Sequence, residues 1–125
     1  MMDLVIEVEN EPGALAKVAG AISDAGVNIS AATFLGGGHL AELHVVVPYG
    51  EAAKHSLSTA GLAVTREREV AVVEVDDRPG ALADLAGKIG RAGVDLDLVF
   101  VAMNNRIVLG AHDMEALRSA LGNSR

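Results

Sequence analysis

The chain has 125 residues, half of them apolar, with a formal charge of −7 and a pI near 4.9. That apolar content excludes a disordered chain. The acidic balance argues against nucleic acid and anionic membranes as partners, because phosphate binding needs clustered Lys and Arg. Cysteine is absent, which excludes disulfides, thiolate zinc sites and cysteine nucleophiles.

The first element is a strand, in which Leu4, Ile6 and Val8 alternate with Val5, Glu7 and Glu9. Pro12-Gly13 follows, and proline suits the first position of a helix, where its missing N–H costs nothing. Leu15, Val18, Ala19 and Ile22 then recur at helical spacing, and Gly26 is placed to end the helix in the left-handed conformation. A second strand is expected from Asn28 to a turn at Gly36-Gly37-Gly38, and a third over His39–Val47. A short Ala-rich helix near Glu51–Ala60 and a fourth strand at Leu62–Arg66 complete the unit.

The pattern then repeats. Residues 72–96 match residues 5–29 without gaps at 14 of 25 positions, too many for chance even in an Ala/Gly/Val-rich chain. Ala71, Val73 and Val75 form the strand face, Pro79-Gly80 the turn, Leu82, Leu85, Ala86 and Ile89 the helix stripe, and Gly93 the cap. Asp95 opens the next strand, Asn104-Asn105 turn it, Arg106–Ala111 return, and Asp113–Leu121 form the last helix. Gly122, Asn123, Ser124 and Arg125 are too few for another strand. The expected fold is therefore α+β, with two tandem ferredoxin-like βαββαβ units at 1–68 and 69–125, the second lacking its last strand. Three arrangements answer the open edge: the Leu62–Arg66 strand serves both sheets, another chain covers it, or Glu74 and Asp76 blunt it.

Units of about 60 residues bury only about 60% of their unfolded surface, so a homodimer or higher assembly is expected. Phe34, Tyr49 and Phe100 are the only aromatic residues, which leaves the core to Ala, Val, Leu and Ile. Gly20 and Gly87 recur inside the two helices, where each costs about 1 kcal/mol relative to alanine. Their recurrence points to a tight packing contact. Asp3 and Glu7 stand where a signal peptide needs a basic start, and no run reaches the roughly 18 apolar residues of a membrane helix. The chain reads as soluble and cytoplasmic.

The doubled segment D/N-x-P-G-A-L-A, a helix, and A-G-V-N/D-I/L resembles the ACT domain, a small regulatory fold attached to many enzymes of amino-acid metabolism. The resemblance covers almost the whole chain. It implies a regulatory protein that binds a small molecule, most often a free amino acid, where two ACT units meet. The implied contacts come from the loop between first strand and helix and from the residue opening the second strand.

Bottom-up, helix one begins at Pro12 with no good side-chain cap, which leaves the first-turn N–H groups of Gly13, Ala14 and Leu15 for a carboxylate, with Gly80, Ala81 and Leu82 as their counterparts. Asn28 and Asp95 are placed to receive an ammonium. Arg78 enters the second site where Glu11 stands in the first, and Asn10 and Asp77 brace the turns with the option of ligand contact. The ligand-binding set is thus Asn10, Gly13, Ala14, Leu15, Asn28, Asp77, Arg78, Gly80, Ala81, Leu82 and Asp95.

No catalytic residue, metal site or cofactor is expected. His39, His44, His55 and His112 have no ligand spacing, and Glu42 and His44 read as an exposed pair on the sheet face turned from the helices. Ser23, Ser30, Ser56 and Ser58 have no base set beside them by any motif. Three classes compete: an amino-acid sensor acting on an enzyme or regulator partner, a ligand-free assembly module of the same fold, and a small enzyme. The sensor is favoured.

Overall fold

The computed structural model describes residues 1–122, so the expectation that Asn123, Ser124 and Arg125 form no strand lies outside the described residues. The chain forms two compact units, Met1–Arg68 and Glu69–Arg125. The first runs β1 (Met2–Glu9), α1 (Ala14–Asp24), β2 (Ala31–Gly36), β3 (Leu40–Val47), α2 (Gly50–Thr59) and β4 (Val64–Glu69), whose last residue falls at the division. The second runs β5 (Ala71–Glu74), α3 (Ala81–Arg91), β6 (Leu96–Ala102), β7 (Arg106–Ala111) and α4 (Met114–Ala120). The α+β, ferredoxin-like reading holds.

In the first unit the strands lie in the order β2-β3-β1-β4, with β3 antiparallel to both β1 and β2. Period-two alternation puts Leu4, Ile6, Leu43 and Val45 on one face, where they pack with Val18, Ala21 and Ile22 of α1 and Ala53 and Leu57 of α2. The Ser56 hydroxyl donates to the Ala21 carbonyl and ties the two helices together. The second sheet has three strands, ordered β5-β7-β6, over a smaller core of Ile89, Ile107, Leu109, Ala111 and Leu117. Strand β4 belongs to the first sheet, so it does not serve both. Among the described residues, β5 pairs with β7 alone.

Several boundaries move for identifiable reasons. Helix α1 begins at Ala14 rather than Pro12, because Gly13 stands as the N-cap at φ 87. Gly80 does the same for α3 at φ 89. Strand β2 begins at Ala31, three residues past Asn28, and β4 at Val64 rather than Leu62. Gly26 and Gly93 take positive φ as expected, and Val27 and Val94 donate back to the Ile22 and Ile89 carbonyls, which closes each helix end. Asn104 and Asn105 both take positive φ in the β6–β7 turn. Helix α4 is capped by Asp113, whose side chain accepts from the Ala116 N–H at 3.0 Å.

The expected packing contact at the helix glycines is not found among the described residues. A Cβ on Gly20 would meet nothing within 4 Å, and one on Gly87 would meet only the flexible Arg91 guanidinium, at 3.2 Å.

The Glu42–His44 pair also differs from expectation, because it is anchored in a buried acid. His44, with a side chain 13% exposed, places Nδ1 2.8 Å from Oδ2 of the fully buried Asp3 and Nε2 3.0 Å from Glu42 Oε1. Arg66 Nη2 lies 2.9 Å from the same Glu42 oxygen. The His44 hydrogen bond holds the Glu42 carboxyl below its ordinary value; desolvation opposes it, and the neighbouring Arg66 and His44 add to the lowering. The sequence hid this network because Asp3 and His44 stand 41 residues apart and meet only through the β1–β3 register, where Val5 faces His44.

In the second unit the register sets Val72 opposite Val108, so Val108 takes the place of His44 and Val70 that of Asp3. Both valines are buried. The same sheet position is thus polar in one unit and apolar in the other.

Two outcomes follow. Gly20→Ala should stabilise the protein by about 0.5–1 kcal/mol through helix propensity alone, read from chemical denaturation. His44→Val should cost about 1–3 kcal/mol by leaving the buried Asp3 carboxyl without its hydrogen-bond partner. Adding Asp3→Val should return most of that loss, since the pair then carries the second unit's own solution.

Candidate functional site

The strand-to-helix loop of the first unit is built on Pro12 and Gly13. Proline fixes its own φ, and Gly13 takes a left-handed conformation that costs a side-chain-bearing residue about 1–2 kcal/mol. The Glu11 N–H donates to Glu9 O at 2.9 Å, and the Ala14 N–H to Glu11 O at 3.2 Å. Ala14 is therefore not a free donor, contrary to expectation, and nor is Ala81, which donates to Arg78 O at 3.2 Å. The N–H groups of Gly13, Leu15 and Ala16 have no acceptor among the described residues, and no side chain caps the helix. Such amides, with the helix dipole behind them, favour a carboxylate.

An open cleft of ≈ 610 Å³ lies over this helix start, lined by Asn10, Glu11, Pro12, Gly13, Ala14, Leu15, Ala16 and Phe34. Four of the expected residues, Asn10, Gly13, Ala14 and Leu15, therefore come together. Asn28 does not line this cleft; it is exposed in the segment before β2. Phe34 was missed as a lining residue. Its place on β2, whose residues pair across to β3, is set by the sheet, and the only sequence signal was its rarity as an aromatic.

Asn10 braces the loop, but by donating rather than accepting. Its Nδ2 gives a hydrogen bond to the Gly38 carbonyl at 3.1 Å.

The second unit arranges the same loop differently. Arg78 Nη2 pairs with Asp84 Oδ2 at 2.7 Å, and Nη1 donates to Pro79 O at 3.3 Å. A Cβ on Gly80 would lie 3.6 Å from Arg78 Nη1, so the guanidinium sits across the glycine. The Asp84 hydrogen bond raises the arginine further above its ordinary value. The positions matching Arg78 and Asp84 in the first unit are Glu11 and Lys17, so the signs are exchanged.

A cleft of ≈ 520 Å³ here is lined by Glu74, Val75, Asp76, Arg78, Ala81, Asp84, Leu85 and Lys88. It matches a ≈ 360 Å³ cleft of the first unit that contains Glu7, Val8, Glu9, Glu11, Ala14 and Lys17. Of the expected residues it gathers Arg78 and Ala81, while Asp77, Gly80, Leu82 and Asp95 lie outside its lining. Among the described residues no group of three or more His, Cys, Asp or Glu is placed to hold a metal ion.

Residues 2–33, which span β1, α1 and the entry to β2, match the family model of the ACT domain. That segment of the chain is similar to an ACT domain. The second unit repeats the matched segment and its Pro-Gly turn, so the ACT-type loop occurs twice.

Solved structures resemble the chain along nearly its whole length. A protein of Bacteroides thetaiotaomicron is 25% identical, with a TM-score of 0.84, covering 97% of this chain and 85% of that one. The ligand-free regulatory subunit of aspartate kinase from Thermus thermophilus is 17% identical, with a TM-score of 0.70, covering 99% and 91%. The corresponding subunit from Thermus flavus is 16% identical, with a TM-score of 0.62, covering 99% and 92%. At these lower identities the likeness is one of fold. No curated protein matches the sequence. No described helix is long and apolar enough to cross a membrane.

The two loop glycines separate conformation from contact. Gly13→Ala meets no atom within 4 Å and should lose only the left-handed preference, about 1–2 kcal/mol in chemical denaturation. A larger loss would show that the loop packs more tightly than its cleft implies.

Proposed function

We propose that this ACT-domain protein is a regulatory amino-acid sensor, with its working site in the first unit's helix-start cleft. The observation that carries the reading is the set of unaccepted N–H groups at Gly13, Leu15 and Ala16 facing a cleft whose walls include Leu15 and Phe34. The amides suit a carboxylate, and the apolar walls suit an aliphatic side chain. Asn28, exposed and outside this cleft, receives the ammonium from a second copy, so the complete site lies where two ACT units meet. On this reading the protein works as a homodimer or larger assembly on an enzyme or regulator partner, with the cytoplasm as its proposed location.

The second-unit residues Asp77, Arg78, Gly80, Ala81, Leu82 and Asp95 form a weaker site, because Arg78 and Asp84 already neutralise each other beside Gly80.

Thermal unfolding of the full chain against the twenty amino acids tests the proposal. An amino acid present at 100 times its Kd should stabilise the fold by about 2.7 kcal/mol. Asn28→Ala should weaken its binding by about 1–3 kcal/mol in calorimetry if the amide is a buried partner. Stabilisation by none of the twenty would favour the assembly-module reading. That reading draws on the exposed apolar residues Leu35, Val101 and Met103 at the β2 and β6 ends.

A further inference from the structure

We infer that Asn10 is a strut coupling the helix-start cleft of the first unit to the glycine hairpin between β2 and β3. The inference rests on the amino-acid site proposed above and gives that site a mechanical output.

Three contacts converge on this residue. Its backbone N–H donates to the His39 carbonyl at 2.9 Å, and its Nδ2 donates to the Gly38 carbonyl at 3.1 Å. A Cβ on Gly36 would stand 2.9 Å from Asn10 Oδ1, closer than real Cβ atoms come. Asn10 therefore grips the turn leading into β3 with its donors, while its amide oxygen uses the space left by the missing side chain at the end of β2. Glycine at 36 and asparagine at 10 fit as a pair.

The same residue is the rim of the cleft. Between Asn10 and the first helical turn stand only Glu11, Pro12 and Gly13, stiffened by the proline ring and by two turn hydrogen bonds, Glu11 N–H to Glu9 O and Ala14 N–H to Glu11 O. A carboxylate that draws the Gly13, Leu15 and Ala16 amides toward itself moves this short segment as one piece. The hairpin follows, because Asn10 holds it at two carbonyls.

The second unit is an internal comparison. Asp77 stands in Asn10's place, a carboxylate with no N–H to donate, and makes no hydrogen bond to its hairpin among the described residues. The backbone N–H of Val75 reaches Asn105 O instead, at 2.8 Å. The β6–β7 hairpin is also shorter, as the registers Val5–His44 and Val72–Val108 show. The strut is a property of the first unit.

A double-mutant cycle in the full chain, read by amide hydrogen exchange with no amino acid added, tests the coupling. Gly36→Ala, which collides with the Asn10 amide, should change exchange at Ala14 and Lys17, whose N–H groups donate to Glu11 O and Gly13 O, by about 2- to 12-fold, the population equivalent of one neutral hydrogen bond. In an Asn10→Ala background the same substitution should leave those two amides unchanged. Equal effects in both backgrounds, or no effect in either, would overturn the strut.

If Gly36→Ala unfolds the first unit by circular dichroism, Asn10→Ala and Asn10→Asp replace it. Both remove the Nδ2 donor and should alter exchange at Gly38–Leu40 and at Ala14 and Lys17 together. A change confined to the hairpin overturns the proposal. Because no amino acid is added, a panel without a hit defeats the binding site and leaves this result standing. A hit with a null cycle defeats the strut alone.

Discussion

The structure turns on a left-handed glycine placed immediately before a helix. Gly13 and Gly80 take φ 87 and 89, and each redirects the chain from a strand edge into a helix that packs back on the sheet. With glycine at the N-cap no side chain can accept from the first-turn amides, so the helix opens with unaccepted donors. The proline before it contributes no donor and fixes its own dihedral. One dipeptide thus sets the path of the chain, the position of α1 over the core of Leu4, Ile6 and Leu43, and the polarity of the loop surface. The fold and the candidate site have a common origin.

Duplication preserved that device and varied what surrounds it. In the first unit the loop bears Glu11 and Lys17, with open space at Gly13. In the second, Arg78 and Asp84 pair across Gly80. An exposed pair of this kind is weakened by solvent, so its effect on a ligand is competition for the same charges more than a barrier. The sheets diverge in the same way. Asp3 and His44 form a hydrogen-bonded contact where the second unit buries Val70 and Val108. A buried hydrogen-bonded pair adds modest net stability and is costly when one partner is lost. The first unit therefore tolerates single substitution at this position less well than the second.

Much of this was legible in the sequence, because local rules decided it. The alternation in Leu4–Val8, the helical spacing through Ile22, the glycines at 26 and 93 and the paired asparagines at 104 and 105 each point to one local conformation. The repeat then fixed that the conformations recur. The loop residues Asn10, Gly13, Ala14 and Leu15 of the cleft were legible for the same reason, since all lie within six consecutive positions.

Tertiary structure decided what depends on register and direction. Strand pairing set His44 beside Asp3, 41 residues away, and put Phe34 at the cleft. Backbone direction spent the Ala14 and Ala81 amides on turn bonds and aimed the Asn10 amide at the Gly38 carbonyl. It also left open space where Gly20 had suggested a close contact. Sequence periodicity gives the face on which a residue lies. Which neighbour it meets there depends on how strands slide past one another, and a one-residue slip reverses every face. The sequence therefore determined the elements and the loop that bears the site, and the sheet registers decided the partners.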